Sequence, residues 1–329
     1  ENHQFTVYCS TKAYPDKPSS FESAKLEYIP LNANGAQSVP YDILSLTHAL
    51  KTRNEVLLVL GVSGALFLPF IRLFTSRKII LHIDGLEWKR AKWNKMARMF
   101  LKFSEKIGVW ASHKIIADNI YLETYVKETY GKDSALIEYG ADHIMAVKRG
   151  TDPHPYAFSV CRIEPENNVH MILEAFSQTD QTIKFVGNWN NSEYGKGLRA
   201  RYINSPNIEL LDPIYDQEKL DKIRGNCYLY LHGHSAGGTN PSLVEAMYLG
   251  LPILAYNATY NRATTEERAI YFNTAEDLTQ KLSALSPMLL RNMAAEMTQI
   301  AQRRYTWQII SQKYNKLFHD ATDDLPRND

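Results

Sequence analysis

Between residues 227 and 252 the chain reads as a strand, a glycine-rich turn and a short helix. The strand segment CYLYLHG leads into His234-Ser235-Ala236-Gly237-Gly238-Thr239-Asn240, then Pro241-Ser242-Leu243-Val244-Glu245-Ala246-Met247, and then Gly250-Leu251-Pro252. The helix signals are complete: Thr239 or Asn240 can cap, Pro241 suits the first turn, Gly250 suits the C-terminal cap and Pro252 prevents continuation. A helix over about 241 to 249 is therefore expected. Its N-terminal amides and positive dipole end would face a crevice, and Gly237 and Gly238 would let a phosphate or diphosphate approach the backbone. Glu245, one turn in, would accept hydrogen bonds from sugar hydroxyls, a ribose being the natural candidate. On the loop alone a second reading fits as well, in which the two glycines make a tight turn and Asn240 only caps.

Arg162 ends an apolar strand segment, AFSVCRI, and its planar fork suits phosphate oxygens. The alternative for it is an interdomain salt bridge. After the segment KIILHI, the residues Asp84, Glu87, Trp88 and Arg90 group acid, aromatic and base, which suits a polar, ring-bearing acceptor. The other reading of that stretch is an Asp-Gly turn followed by a solvated charged face. His113, His170 and His232 have no partner pattern for a metal or a catalytic triad and read as structural, and no Cys or His cluster has zinc spacing, so no metal is expected.

Elements that would position these residues follow from the hydropathy pattern. Short aliphatic or β-branched runs (FTVYCS, LEYIPL, VLLVLG, KIILHI, KIIA, ALIEY, then AFSVCRI, TIKFVG, NIELL, CYLYLHG, PILAY) alternate with amphipathic segments. This is a β–α alternation, and strands so continuously apolar are covered on both faces. Two doubly wound parallel sheets are expected, with ligands beyond the carboxyl ends of their strands. A boundary is expected at residues 148–154 (KRGTDPH), giving one domain over 1–150 and another over 151–304, followed by a last helical segment over 305–329. In that segment Thr306 is the N-cap, and Trp307, Ile310, Tyr314 and Phe318 recur on one side.

Composition sets the outer bounds. The 329 residues are 44% apolar and 22% charged, which excludes a disordered chain. Net charge is +1, against an extended nucleic-acid footprint. Residues 1–150 carry 20 Lys/Arg against 15 Asp/Glu (+5), leaving 17 against 21 (−4) for the rest of the 37 and 36. Within the positive half, Trp93, Met96, Phe100, Phe103 and Ile107 form one helical stripe and Lys92, Lys95, Arg98 and Lys102 another. The apolar stripe is expected in the core and the basic one against anionic lipid headgroups. Cys9, Cys161 and Cys227 are odd in number and lie in strand-like runs, so they read as buried free thiols in a reducing compartment. The opening residues carry no export signal, and the apolar run at 56–71 is too short and too glycine-broken to span a bilayer. A cytoplasmic location, with peripheral contact on the inner face of the membrane, is expected.

The segment PSLVEAMYLGLPILA and the turn before it resemble the donor-binding loop of family-4 retaining glycosyltransferases. More narrowly, HGHSAGGTNPSLVEAM, DGLEWKRAKW (84–93), FSVCRIEPENN (158–168) and IADNIYLETYV (116–126) are similar to bacterial capsule and cell-wall rhamnosyltransferases. The resemblance implies a GT-B fold, two Rossmann-like domains facing a crevice. It implies a metal-independent transfer without cofactor of a deoxyhexose, rhamnose from dTDP-rhamnose, to a lipid-linked saccharide. It also implies that Arg162 and Asp84 serve the chemistry, that Glu245 holds the nucleotide ribose, and that Gly237, Gly238, Thr239, Asn240, Ser242 and Leu243 hold phosphates and donor sugar. Glu87, Trp88 and Arg90 would meet the acceptor, and the last helix would cross back to the first domain.

Three departures stand out. Gly237 occupies the place of the family's second acidic residue, eight positions before Glu245, and no lysine follows Arg162, with Lys184 or Lys196 as the candidate substitute. The narrower group shares both. The family's first strand and glycine turn are expected ahead of FTVYCS, where this sequence begins. The rivals are a catalytically silent nucleotide-sugar or glycan-binding protein and a nucleotide-sugar epimerase.

Overall fold

A computed structural model describes residues 3–90, 93–144 and 156–323, so the boundary expected at residues 148–154 lies outside the described residues. The apolar runs fold as strands and the amphipathic segments as helices. The amino-terminal part contains β1 (Thr6–Ser10), β2 (Ser20–Phe21), β3 (Ala24–Ile29), α1 (Ser38–Ala49), β4 (Val56–Leu60), α2 (Leu68–Phe74), β5 (Lys78–Ile83), α3 (Lys95–Ala111), β6 (Lys114–Ala117), α4 (Ile120–Tyr130) and β7 (Ala135–Leu136). Its strands form two sheets, β1-β3-β2 and the all-parallel β4-β5-β6-β7. The outer edges of β1 and β4, opposite their partners β3 and β5, carry no further strand among the described residues. Phe5 and Leu58, one beside each edge, line a cavity of about 670 Å³.

The second part contains β8 (Tyr156–Val160), α5 (Val169–Ser177), β9 (Thr182–Val186), α6 (Glu193–Tyr202), β10 (Ile208–Leu211), α7 (Gln217–Gly225), β11 (Leu229–His232), α8 (Pro241–Tyr248), β12 (Ile253–Tyr256), α9 (Thr259–Thr264), β13 (Ile270–Phe272), α10 (Ala275–Ser283), α11 (Pro287–Arg304) and α12 (Trp307–Thr322). Six strands make one parallel sheet in the order β10-β9-β8-β11-β12-β13. Its faces are covered by two cores, one around Phe176, Phe185 and Trp189 and the other around Tyr230, Met247 and Met297. Such two-sided burial is what continuous apolar strands require.

Helix α12 leaves the second part and packs on the β4-β5-β6-β7 sheet of the first. Ile310, Leu317, Phe318 and Ala321 are buried against Ile80, Ile116 and Ile137. The start of α12 lies beside residues 140–142 of the first part. The Ala141 N–H donates to the Tyr305 carbonyl (2.7 Å), and the Trp307 N–H donates to Asp142 Oδ1 (2.6 Å). Gly140 leaves room for the Trp307 ring, which an added Cβ would meet at 2.5 Å. Glu138, nearly inaccessible, binds Arg304 and Lys313 from α11 and α12.

Two expectations fail here. The stripe Met96, Phe100 and Phe103 on α3 faces solvent, and Met96 is 81% exposed. The buried face is instead Leu101, Ser104, Glu105, Gly108 and Val109, because Gly108 lets α3 close on Ala65 and Leu81. Of the three free cysteines only Cys227 is buried, with Cys9 and Cys161 half-buried near the ends of their strands.

Candidate active site

Pairing of β8 with β11 in parallel, Tyr230 opposite Phe158, brings Arg162 and His234 to the same carboxyl ends of neighbouring strands. Arg162 is exposed there, with Glu164 at 3.8 Å. Beyond β11 the loop is fixed to the adjacent turn: Ser235 donates through both its N–H and its hydroxyl to the Glu166 carbonyl at 2.8 Å. Helix α8 then opens as its sequence signals require. The Asn240 side chain accepts from the Ser242 N–H (3.2 Å) and hydroxyl (2.8 Å), and Pro241 fills the first turn. Asn240 thus spends its oxygen on the cap, and Leu243 is buried in the core beneath.

The glycines behave differently from each other. Gly237 has φ +137°, a backbone only glycine adopts readily, and an added Cβ there would meet nothing. Gly238 is closed from the other part of the chain: the Asp118 carboxylate occupies the place a Cβ would take. A Cβ added to Gly85, whose φ is +147°, would meet the Gly237 backbone at 3.2 Å. Asn119 donates to Thr239 Oγ1 (3.2 Å) and Thr264 Oγ1 (3.3 Å), and Thr239 is buried. The donor-type loop is therefore docked on residues at the carboxyl ends of β5 and β6, and the anion expected beside both glycines has open access at Gly237 only.

Burial, then the nearby charge of Asp84, pushes the Asp118 carboxyl up to about 8, with a hydrogen bond from the Thr239 backbone opposing. Asp84 itself is exposed at the end of β5. Its charge also raises the His82 imidazole, which burial lowers more strongly. Glu87 accepts from the Trp93 indole (3.0 Å) and pairs with Arg90 (2.9 Å), whose guanidinium lies 4.0 Å from Glu166 on the opposite side. The Trp88 ring is half-buried, with the Lys102 ammonium 4.6 Å over it. Glu87 and Arg90 thus hold each other, and Trp88 offers less open ring than a stacking platform for an acceptor was expected to.

Glu245 is the centre of a chain of contacts. One oxygen pairs with Arg224, which is fully buried and also donates to Asp221 (2.7 Å). The other lies 3.3 Å from His143 Nε2. His143 Nδ1 accepts from the Trp307 indole N–H (3.1 Å), which puts the ring proton on Nε2, toward Glu245. The carboxylate is held from both sides and remains partly accessible. His232, buried, and His234, half-buried, stack at 4.3 Å, and burial of its ring aided by Arg162 and Arg90 pushes His234 down to about 3. Neither ring nitrogen of His232 has a hydrogen-bond partner among the described residues. Lys184 pairs with Glu209 and Lys196 with Glu193, each in its own neighbourhood.

Asp118, His143 and Arg224 are the residues that sequence reasoning missed. Asp118 stands inside the segment IADNIYLETYV and directly after a strand, which was the available signal. Among the described residues no three His, Cys, Asp or Glu side chains gather as a metal site, and no helix is long and apolar enough to cross a membrane.

Two parallel-sheet domains closing on a glycine-rich loop and helix N-terminus define the GT-B architecture. Residues 142–304 match the model of the glycosyl transferases group 1 family, and residues 2–142 match a family described only as a domain of unknown function. Sucrose-phosphate synthase from Thermosynechococcus elongatus is similar in fold, with TM-score 0.76 and 16% identity over 93% of this chain and 86% of that one. HepE from Anabaena, solved with UDP-glucose, superposes with TM-score 0.72 and 13% identity over 96% and 99%. The pneumococcal O-GlcNAc transferase GtfA, solved with UDP and GlcNAc, gives TM-score 0.65 and 14% identity over 87% and 61%. A sequence search of curated proteins returns no significant match.

Proposed function

We propose that the protein is a retaining glycosyltransferase that moves a deoxyhexose, rhamnose from dTDP-rhamnose, onto a lipid-linked saccharide in cell-surface polysaccharide synthesis. The observation that carries the reading is the meeting of Arg162, the open backbone of Gly237 and the N-terminus of α8 at one end of a parallel sheet. That set of groups suits a nucleoside diphosphate. HepE and GtfA, similar in fold, were solved with UDP-glucose and with UDP and GlcNAc, which supports a nucleotide-sugar donor here.

In this reading Arg162 and the helix dipole stabilise the departing diphosphate. Glu245, set by Arg224 and His143, accepts from the ribose hydroxyls. A protonated Asp118 keeps a negative charge away from the incoming phosphates. Front-face attack, with the leaving phosphate oxygen taking the acceptor proton, needs no pair of carboxylates at glycosidase spacing. Asp84, exposed at the lip of the same crevice, takes the acceptor hydroxyl. The test is transfer of radiolabelled sugar from a panel of nucleotide sugars to membrane extracts. Label passing from dTDP-rhamnose into lipid-extractable product supports the reading. Donor binding without transfer would make the chain a silent binding protein, and conversion of the free donor to an isomer would make it an epimerase.

A further inference from the structure

Among the described residues helices α2 and α3 leave a broad apolar surface uncovered. On α2 the residues Phe70, Leu73 and Phe74 point outward, with Phe67, Phe70 and Phe74 ring to ring at 5.3 and 4.7 Å. On α3 the outward residues are Met96, Met99, Phe100, Phe103 and Trp110, a spacing of three, four or seven that keeps them on one side. Arg72 locks the two helices together, donating to the carbonyls of Trp110, Ala111 and Ser112 at 2.9 to 3.1 Å. Leu73, Phe74 and Met96 are 72, 70 and 81% exposed, and so many large apolar side chains on one face mark an interaction site.

Charge decides the partner. Lys95, Arg98, Lys102 and Lys106 line one edge of the α3 stripe at helical spacing, all exposed. Glu105, the single acidic residue of the two helices, is fully buried, where it accepts from Tyr125 and Tyr130 at 2.6 Å. The face is thus apolar and aromatic with a basic edge and no exposed acid. A helix of this make-up lies in a lipid interface, with its apolar side in the acyl boundary and its cations on headgroup phosphates. A second copy of the chain would bring four more cations to the same face and meet repulsion.

We propose that the α2–α3 face inserts into the headgroup region of an anionic bilayer, through the exposed stripe rather than through the basic side alone. The proposal stands on this surface and is independent of which sugar is moved. It is tested by flotation with vesicles of phosphatidylglycerol and phosphatidylcholine in equal parts and with phosphatidylcholine alone. The protein is expected to float with the anionic vesicles. The double variant Phe74→Ser with Met99→Ser should lose more than tenfold in partitioning. Lys95→Gln or Lys106→Gln should each lose about fivefold on anionic vesicles only. Both sets should keep the parent's denaturation midpoint and its affinity for nucleotide sugar, a readout that fails separately if the donor assignment is wrong. No association of the parent with anionic vesicles, equal partitioning of the serine variant, a lowered midpoint, or a dimer that buries these residues would each overturn the proposal.

Discussion

Replacing Asp118 by Asn separates its charge from its shape. The carboxyl is 1% exposed and pressed on the Gly238 backbone, and burial together with Asp84 pushes it from an ordinary 3.8 to about 8. Between pH 4 and 8 the folded chain therefore holds a proton that the unfolded chain releases. Its contribution to stability is complete below about pH 4 and lost as pH rises toward 8, at up to about 1.4 kcal/mol per unit. Over the two units from pH 6 to 8 the parent should lose about 2 to 3 kcal/mol from this group alone. Asp118→Asn keeps an oxygen for the Thr239 N–H and has no proton to release. Urea unfolding of both proteins at a series of pH values should give a stability difference that moves in favour of the variant up to about pH 8 and then levels. A difference constant across that range would mean that Asp118 titrates as an exposed carboxylate, and the buried contact with Gly238 would not describe the protein in solution.

Arg162→Ala should leave the unfolding midpoint unchanged, since the side chain is exposed, and weaken nucleotide-sugar binding on the order of 10- to 100-fold; equal calorimetric affinities would remove Arg162 from the site. Glu245→Gln withdraws a charge from buried Arg224 and should cost about 3 kcal/mol of stability. The same variant should bind the free nucleoside diphosphate more weakly as well as the full donor; loss confined to the sugar moiety would move Glu245 to the hexose. Gly140→Ala drives a Cβ into the Trp307 ring and should cost roughly 1 to 3 kcal/mol, with a shift in tryptophan emission; unchanged emission and midpoint would show that Trp307 does not pack there.

What was legible in the sequence was what is decided locally. The cap, proline and C-terminal glycine of α8 sit within a dozen residues, and the helix runs over Pro241–Tyr248, one residue short of its expected end. The strand runs were legible because two-sided burial leaves them continuously apolar. Helix α3 was not, because periodicity shows that a helix has an apolar side but not which way it faces. Its inward face, built on Gly108, Ser104 and a Glu105 held by Tyr125 and Tyr130, looks polar when read along the chain. Asp118, His143 and Arg224 acquire meaning only from partners 21 to 164 residues away, such as Glu245, Trp307 and the Thr239 backbone. No local rule marks such meetings.

Among the described residues the outer edges of β1 and β4 are open to a further strand. Each presents a row of open backbone donors and acceptors, and Val7 and Leu60 on these strands are exposed. Edges of this kind are templates for strand addition. The cavity between them has an apolar wall from α12, with Ile310 and Phe318 along it. An extended segment that reaches this groove gains backbone hydrogen bonds from an edge and covers apolar surface at once.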